Sequence, residues 1–401
     1  ASDVYKRQVF ADGFALQNRE AVARFAIARR IPLVSGWRVF AEAGALSSAF
    51  RLGELSLAFV LQLVLPLIVI VLGHRALSEE AETGRLRFLL AQGVSFRTLA
   101  FGKLAGLAAA LAPFLVVGFV ASLAVMLTDP AFAADPAAMA RLGILGAAVL
   151  VHTFAWLALT LWVSAGARTA ARACAVLVTL WVLGGVVLPR AASAIAALRY
   201  PLSDKSGFAA AVAADTEKLG NSHNPDDPHY TQFRRDTLAR HGVTRVEDLA
   251  VNYRGIVMAR GEELSAETFA RHFAALGAAM QTQSDFVQRA ALLAPTLALR
   301  TLSAAAAGTD LRAELKFQRG AEAYRYSFVQ QLNALHRDEV RYHDDRDQRV
   351  AAAHWQRFPD FRTAPPALHE ALVGTGGAWF ALALWLVVPL AGLVFQKPRA
   401  T

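Results

Sequence analysis

The sequence is poor in cysteine and has long stretches without charge. One residue of 401, Cys174, is a cysteine, so no disulfide within the chain can staple a small fold and cysteine says nothing about redox compartment. Charged residues make up 18% of the chain against 55% hydrophobic ones, and the mean hydropathy is +0.35. The charges are clustered, which leaves uncharged runs of membrane-spanning length and excludes an ordinary soluble protein. The net charge of +9 would suggest nucleic acid in a soluble domain; here basic residues flanking membrane spans explain it more simply.

Catalytic signatures are also missing. There is no G-x-x-x-x-G-K-[ST]: Gly102-Lys103 comes closest but lacks the first glycine and the hydroxyl, so the chain is not expected to bind nucleotide itself. There is no H-E-x-x-H, since His369-Glu370 has no second histidine, and no G-x-S-x-G. His223 and His229, in the run His-Asn-Pro-Asp-Asp-Pro-His, are the best metal candidates. Asn, Pro and Asp are equally the residues of a solvated turn, and that reading is preferred, with no metal expected. His336, Arg337, Asp338 and Glu339 read as the solvated face of a long helix.

What is present is a series of apolar runs. Leu55 to Gly73, about 19 residues, is enough for roughly 30 Å of hydrocarbon at 1.5 Å per residue. Pro66 should kink it and free a carbonyl for a neighbouring helix. Gln62 is its one strongly polar side chain, suited to interhelical packing or to a pathway. Further spans are expected at 104–127, with Pro113 inside, at 142–163, and at 170–188, where Arg172 must snorkel to the interface. His152 and Thr153 lie within the third, as a relay or as groups bonded to a neighbouring helix. Leu183-Gly184-Gly185 in the fourth would admit another helix closely. The last span is Gly376 to Phe395, followed by a short tail with Lys397 and Arg399.

Between the fourth and last spans, 189–375 is polar and of helical periodicity. It reads as one mostly helical domain, large enough for its own core. Helices are expected at Ser206 to Leu219 and at Glu262 to Phe286 with Ser265 as N-cap. A long helix capped by Thr309 or Asp310 should bury Leu311, Leu315, Phe328, Leu332 and Leu335 on one face. Ala290 to Leu302 is apolar but holds Pro295 and Arg300, and reads as a buried segment of that domain. Residues 9–54 are broken by Arg19, Arg24, Arg29, Arg30 and Arg38 and cannot span a bilayer; around Glu20 to Ile31 they fit an amphipathic surface helix, and equally the stretch fits a fragment of a soluble domain.

The fold class expected is an all-α integral membrane protein with five spans and a helical domain outside. The loops holding Arg75, Arg85, Arg87, Arg97, Lys103, Arg168, Arg172, Lys397 and Arg399 are favoured as cytoplasmic by the positive-inside rule, by a small margin over the opposite set. The chain begins Ala-Ser-Asp rather than with Met, and an odd number of spans with the N-terminus outside suggests that one upstream span is missing.

The stretch Ser78 to Lys103 interrupts the apolar runs as loop 74–103. Glu79, Glu80 and Glu82 favour the start of a helix. Leu86, Leu89 and Leu90 form an apolar ridge on it, Gly93 ends it, and a second helix from about Ser95 leads into the next span. A short helix of this kind suits a partner's groove or a plain interfacial position. Glu80, Glu82, Gly84, Leu86, Leu89, Leu90, Gln92, Val94, Ser95, Gly102 and Lys103 resemble the pattern E-x-E-x-G-T-L-x-x-L-L-S-Q-P-V-S…G-K of the cytoplasmic loop in ABC-2-type transporter permeases. Arg85, Ala91 and Gly93 depart from it. Ala294-Pro295 to Ser303 and Ala307 to Asp310 resemble motifs of an uncharacterised subfamily related to gliding-motility and copper-maturation permeases.

That resemblance, over roughly 45–401, implies a permease subunit of the bacterial inner membrane with six spans when complete, working as a homodimer or paired permease. ATP and Mg would be bound by a separate cytoplasmic ABC ATPase, with no cofactor or catalysis on this chain and no nucleic-acid partner. The expected ATPase-coupling residues are Glu80, Glu82, Gly84, Leu86, Arg87, Gly93, Arg97 and Lys103. The alternative is a non-transport sensor or assembly scaffold whose external domain binds another envelope protein.

Overall fold

The computed structural model describes residues 57–128, 130, 135–221, 224, 226–345, 347–348, 350–362 and 366–396. The helix expected within 1–54, His223, Lys397 and Arg399 lie outside them. The described residues are helical with no strand, and five helices are long and apolar enough to cross a membrane. The protein is an all-α, multi-pass membrane protein.

The first run, α1, covers 57–73 and contains a π-helical segment, Val60–Val64, before Leu65–Gly73. Pro66 follows that segment, and Trp181 Nε1 donates to the Leu63 carbonyl at 2.9 Å, so a neighbouring helix satisfies backbone that the irregular turn leaves open. Two short helices follow, α2 (Ser78–Glu82) and α3 (Arg85–Ala91). Then come the long α4 (Phe96–Leu127) and α5 (Pro136–Gly166), and α6 (Ala170–Arg199), which carries a second π segment at Leu183–Val187. Asp135 caps α5 by accepting from Ala137 N at 2.9 Å, with Pro136 at its first position. Gly185 of the second π segment lets Leu63 of α1 approach to a separation a side chain would block.

After α6 come α7 (Lys205–Glu217), α8 (Pro228–Arg240), α9 (Tyr253–Arg289), α10 (Pro295–Ala307), α11 (Leu311–Glu339), α12 (Leu368–Leu372) and α13 (Gly376–Phe395). Ser265 lies inside α9 and caps nothing, because α9 already begins at Tyr253. The cap expected at Asp310 is present: its carboxylate accepts from Ala313 N at 3.0 Å.

The chain divides into two compact units, and the division differs from the 189–375 boundary read in the sequence. Among the described residues, one comprises those of 57–201, 279–314 and 366–396, and the other those of 202–278 and 315–362. The reason is α10. It is 13 residues long, too short to span about 30 Å, but Leu297, Ala298, Leu299 and Leu302 are buried in one cluster with Ala148 and Val149 of α5 and Ala378, Ala381 and Leu382 of α13. Arg300 points away and is exposed. The apolar face of α10 thus completes the core of the membrane-spanning unit. Arg141 Nη1 donates to the Ala306 carbonyl at its C-terminus at 3.1 Å, a cation where the helix dipole favours one.

Within this unit α5 is central and α4 peripheral. Half of the apolar window of α5 is buried, against 6% for α4. Phe114, Val117 and Val125 of α4 are exposed, as an apolar helix facing hydrocarbon requires.

The other unit is built on α9 and α11. Leu332, Val340 and Phe358 are buried together, with Phe328 and Leu335 against them, and the Phe328 and Phe358 rings lie 4.9 Å apart. Gly255 sits against the Arg337 backbone, where an added Cβ would lie 2.5 Å from Arg337 N. Beside that contact, buried Asn252 donates to the Val340 carbonyl and to Asp345, and its own N–H bonds to the Arg337 carbonyl. His336 Nε2 and Arg254 Nη1 reach the same Asp345 carboxylate at 2.5 and 2.7 Å. Burial alone would raise the Asp345 pKa, but these hydrogen bonds outweigh it and hold the carboxyl below its ordinary value.

Candidate coupling surface

Loop 74–103 folds as two helical steps rather than one. α2 stops at Glu82 because Gly84 adopts φ +76°, and α3 starts from that glycine. Gly93, at φ +86°, ends α3, as its position in the sequence predicts. Ser95 then caps α4, accepting from Thr98 N at 3.1 Å.

The start of α2 is fixed from α5. Ser164 Oγ accepts from the Leu77 and Ser78 amides at 3.1 and 3.0 Å and donates to the His74 carbonyl at 2.8 Å. One hydroxyl therefore satisfies helix-terminal donors that α2 leaves free. Glu80 is paired with Lys103 at 2.6 Å, both groups partly buried. Glu82 accepts from Ala170 N at 3.1 Å, which places a carboxylate at the first turn of α6. Arg97 Nε donates to the Val394 carbonyl of α13 at 3.0 Å. Four of the expected coupling residues thus tie the loop to α4, α6 and α13.

Of the apolar ridge expected on α3, Leu86 and Leu90 pack inward while Leu89 stays half-buried. Leu86 is 5% exposed and packs with Leu77, Phe96, Ala100, Leu161 and Leu393, with Leu90 against them. Leu86 therefore anchors α3 and does not offer itself to a partner. The outward face carries Arg85, Arg87 and Phe88, and Phe88 is 65% exposed. Arg87 was legible as a surface group. Phe88 and Ser164 were not singled out, although an aromatic next to two arginines on a short helix is a visible signal for the first.

Away from the loop, Gln62 is half-buried in the π segment of α1. His152 and Thr153 are buried in α5, where Thr153 Oγ1 donates to the Val149 carbonyl at 2.8 Å. His229 is exposed in the first turn of α8, and among the described residues no group of three or more His, Cys, Asp or Glu side chains could hold a metal.

The fold and this surface define a class: a multi-pass helical membrane protein with a charged, anchored loop between α1 and α4. Residues 208–364 match a family described as a domain of unknown function (DUF3526). No curated protein and no solved structure matches the chain.

Proposed function

We propose that this chain is the membrane-spanning permease subunit of an ABC transporter. A separate cytoplasmic ATPase, which binds ATP and Mg, docks on α2 and α3 and drives export, or mechanical work on an envelope component, through them. The chain itself performs no catalysis. It sits in the bacterial inner membrane as a homodimer or paired permease, with unit 202–278 plus 315–362 outside the cytoplasm.

The observation that carries the reading is the two-sided construction of the loop. Its inner side is bonded to several spans through Ser164, Glu80, Glu82 and Arg97. Its outer side exposes Arg85, Arg87 and Phe88. A push on that outer side is delivered to α4, α5, α6 and α13 together, through the buried Ser164 bonds and the part-buried Glu80–Lys103 pair and through the exposed bonds of Glu82 and Arg97. The resemblance of Glu80 to Lys103 to permease coupling loops supports the same reading.

The test is ATPase stimulation in proteoliposomes containing the chain and its cognate ATPase. Arg87→Glu with Phe88→Ala should abolish co-purification and stimulation. Glu80→Gln should keep binding but weaken stimulation, since it loosens an anchor without touching the outer face. Undiminished binding and stimulation by the Arg87/Phe88 variant would remove the loop from this role.

A further inference from the structure

The membrane-spanning unit holds buried polar groups that neither the packing nor the coupling surface employs. His152, Trp156, Thr160 and Ser164 recur every four residues along α5, and all four are buried. Each step advances about 6 Å and turns about 40° beyond a full turn. The series therefore runs about 18 Å along the helix while winding around it. At one end the His152 ring lies beside the Pro295 backbone at the start of α10. Further along, the Thr160 methyl meets Gly73 of α1, and at the far end Ser164 binds His74.

Ser164 is fully engaged; the other three are not. The His152 ring has only the Pro295 backbone within reach, which leaves at least one of its nitrogens unpaired. Nε1 of Trp156 and Oγ1 of Thr160 have no hydrogen-bond partner among the described residues. Nor has Oγ1 of Thr296, in the first turn of α10 next to Pro295. This is not the habit of threonines in these helices: Thr153, Thr179 and Thr301 each donate to the carbonyl one turn back. The His152 and Trp156 rings meet edge to face at 6.5 Å, and Trp156 Nε1 finds no partner in that contact.

These groups mix donors and acceptors. Trp156 Nε1 only donates, a neutral imidazole does both, and the hydroxyls do both. The five side chains His152, Trp156, Thr160, Ser164 and Thr296 include no carboxylate, Lys or Arg, so they complement a neutral guest that donates and accepts, which is water. We propose that this face of α5 binds a file of ordered water, from His152 and Thr296 beside α10 to Thr160 beside α1, ending at the Ser164 joint. The proposal rests on the membrane-spanning unit alone and stands whether or not the chain works with an ATPase.

Radiolytic hydroxyl-radical footprinting of the full chain in lipid nanodiscs tests it, because ordered water yields radicals next to the side chains that hold it. Trp156 and His152 should be oxidised despite being buried, and Thr160→Val with Thr296→Val should lower that labelling at least about threefold by removing two of the hydroxyls that hold the water. If the double variant does not fold, each single valine variant gives the same reading. Absence of labelling at both residues in the unaltered chain overturns the proposal, as does labelling that the valine variants leave unchanged.

Discussion

Single residues decide how closely the helices can meet. At Gly255 an added methyl would strike the Arg337 backbone rather than a movable side chain, so Gly255→Ala should destabilise that unit by about 1–3 kcal/mol. Hydrogen exchange of 253–278 in the full chain, before and after the substitution, measures it. Asp345 makes the same region pH-sensitive. Its folded pKa is lowered, so its stabilisation is complete above the unfolded carboxyl value of about 4 and is lost as pH falls below it. Exchange protection around Asn252 and His336 should therefore fall as pH drops below about 4, and Asp345→Asn should be less protected at neutral pH and change less on acidification. Neither effect was legible in sequence. Asn252 and Asp345 are far apart in the chain, and a glycine at a helix crossing looks like any other until its neighbour is known. The Asp310 cap and the Gly93 stop were legible because both are local: the interaction closes within four residues.

At the scale of elements, the spans were read well because length and absence of charge settle them. The shape of the loop was read in part. Gly84 divides it into α2 and α3, a break that the sequence reading did not place, whereas the opposite facing of Leu86 and Phe88 follows from their spacing of two residues within α3. α10 was recognised as buried but given to the wrong body. Pro295 and Arg300 made it look like part of the polar region, whereas Pro295 begins the helix and Arg300 lies on its exposed side. The Ser164 joint should matter at this scale. Ser164→Ala leaves the Leu77 and Ser78 amides without their buried acceptor, a cost of about 1–3 kcal/mol. Amide exchange should rise in 74–82 while α5 itself stays protected; unchanged exchange in 74–82 would show that another group supports α2.

In the molecule as a whole, a membrane-spanning unit completed by α10 carries a loop fastened to it from within. The sequence pattern E-x-E-x-G carries its carboxylates for that fastening: Glu80 and Glu82 are used on the chain's own Lys103 and Ala170. In the function proposed above, partner recognition is assigned instead to the outer face of α3. The most direct test is a photo-crosslinking residue placed at 88 in the full chain, irradiated in native membranes with the cognate ATPase present. The account predicts a crosslink to the ATPase that is lost when Arg87→Glu is added. Crosslinking at 88 to lipid alone, with the ATPase still bound, would contradict it.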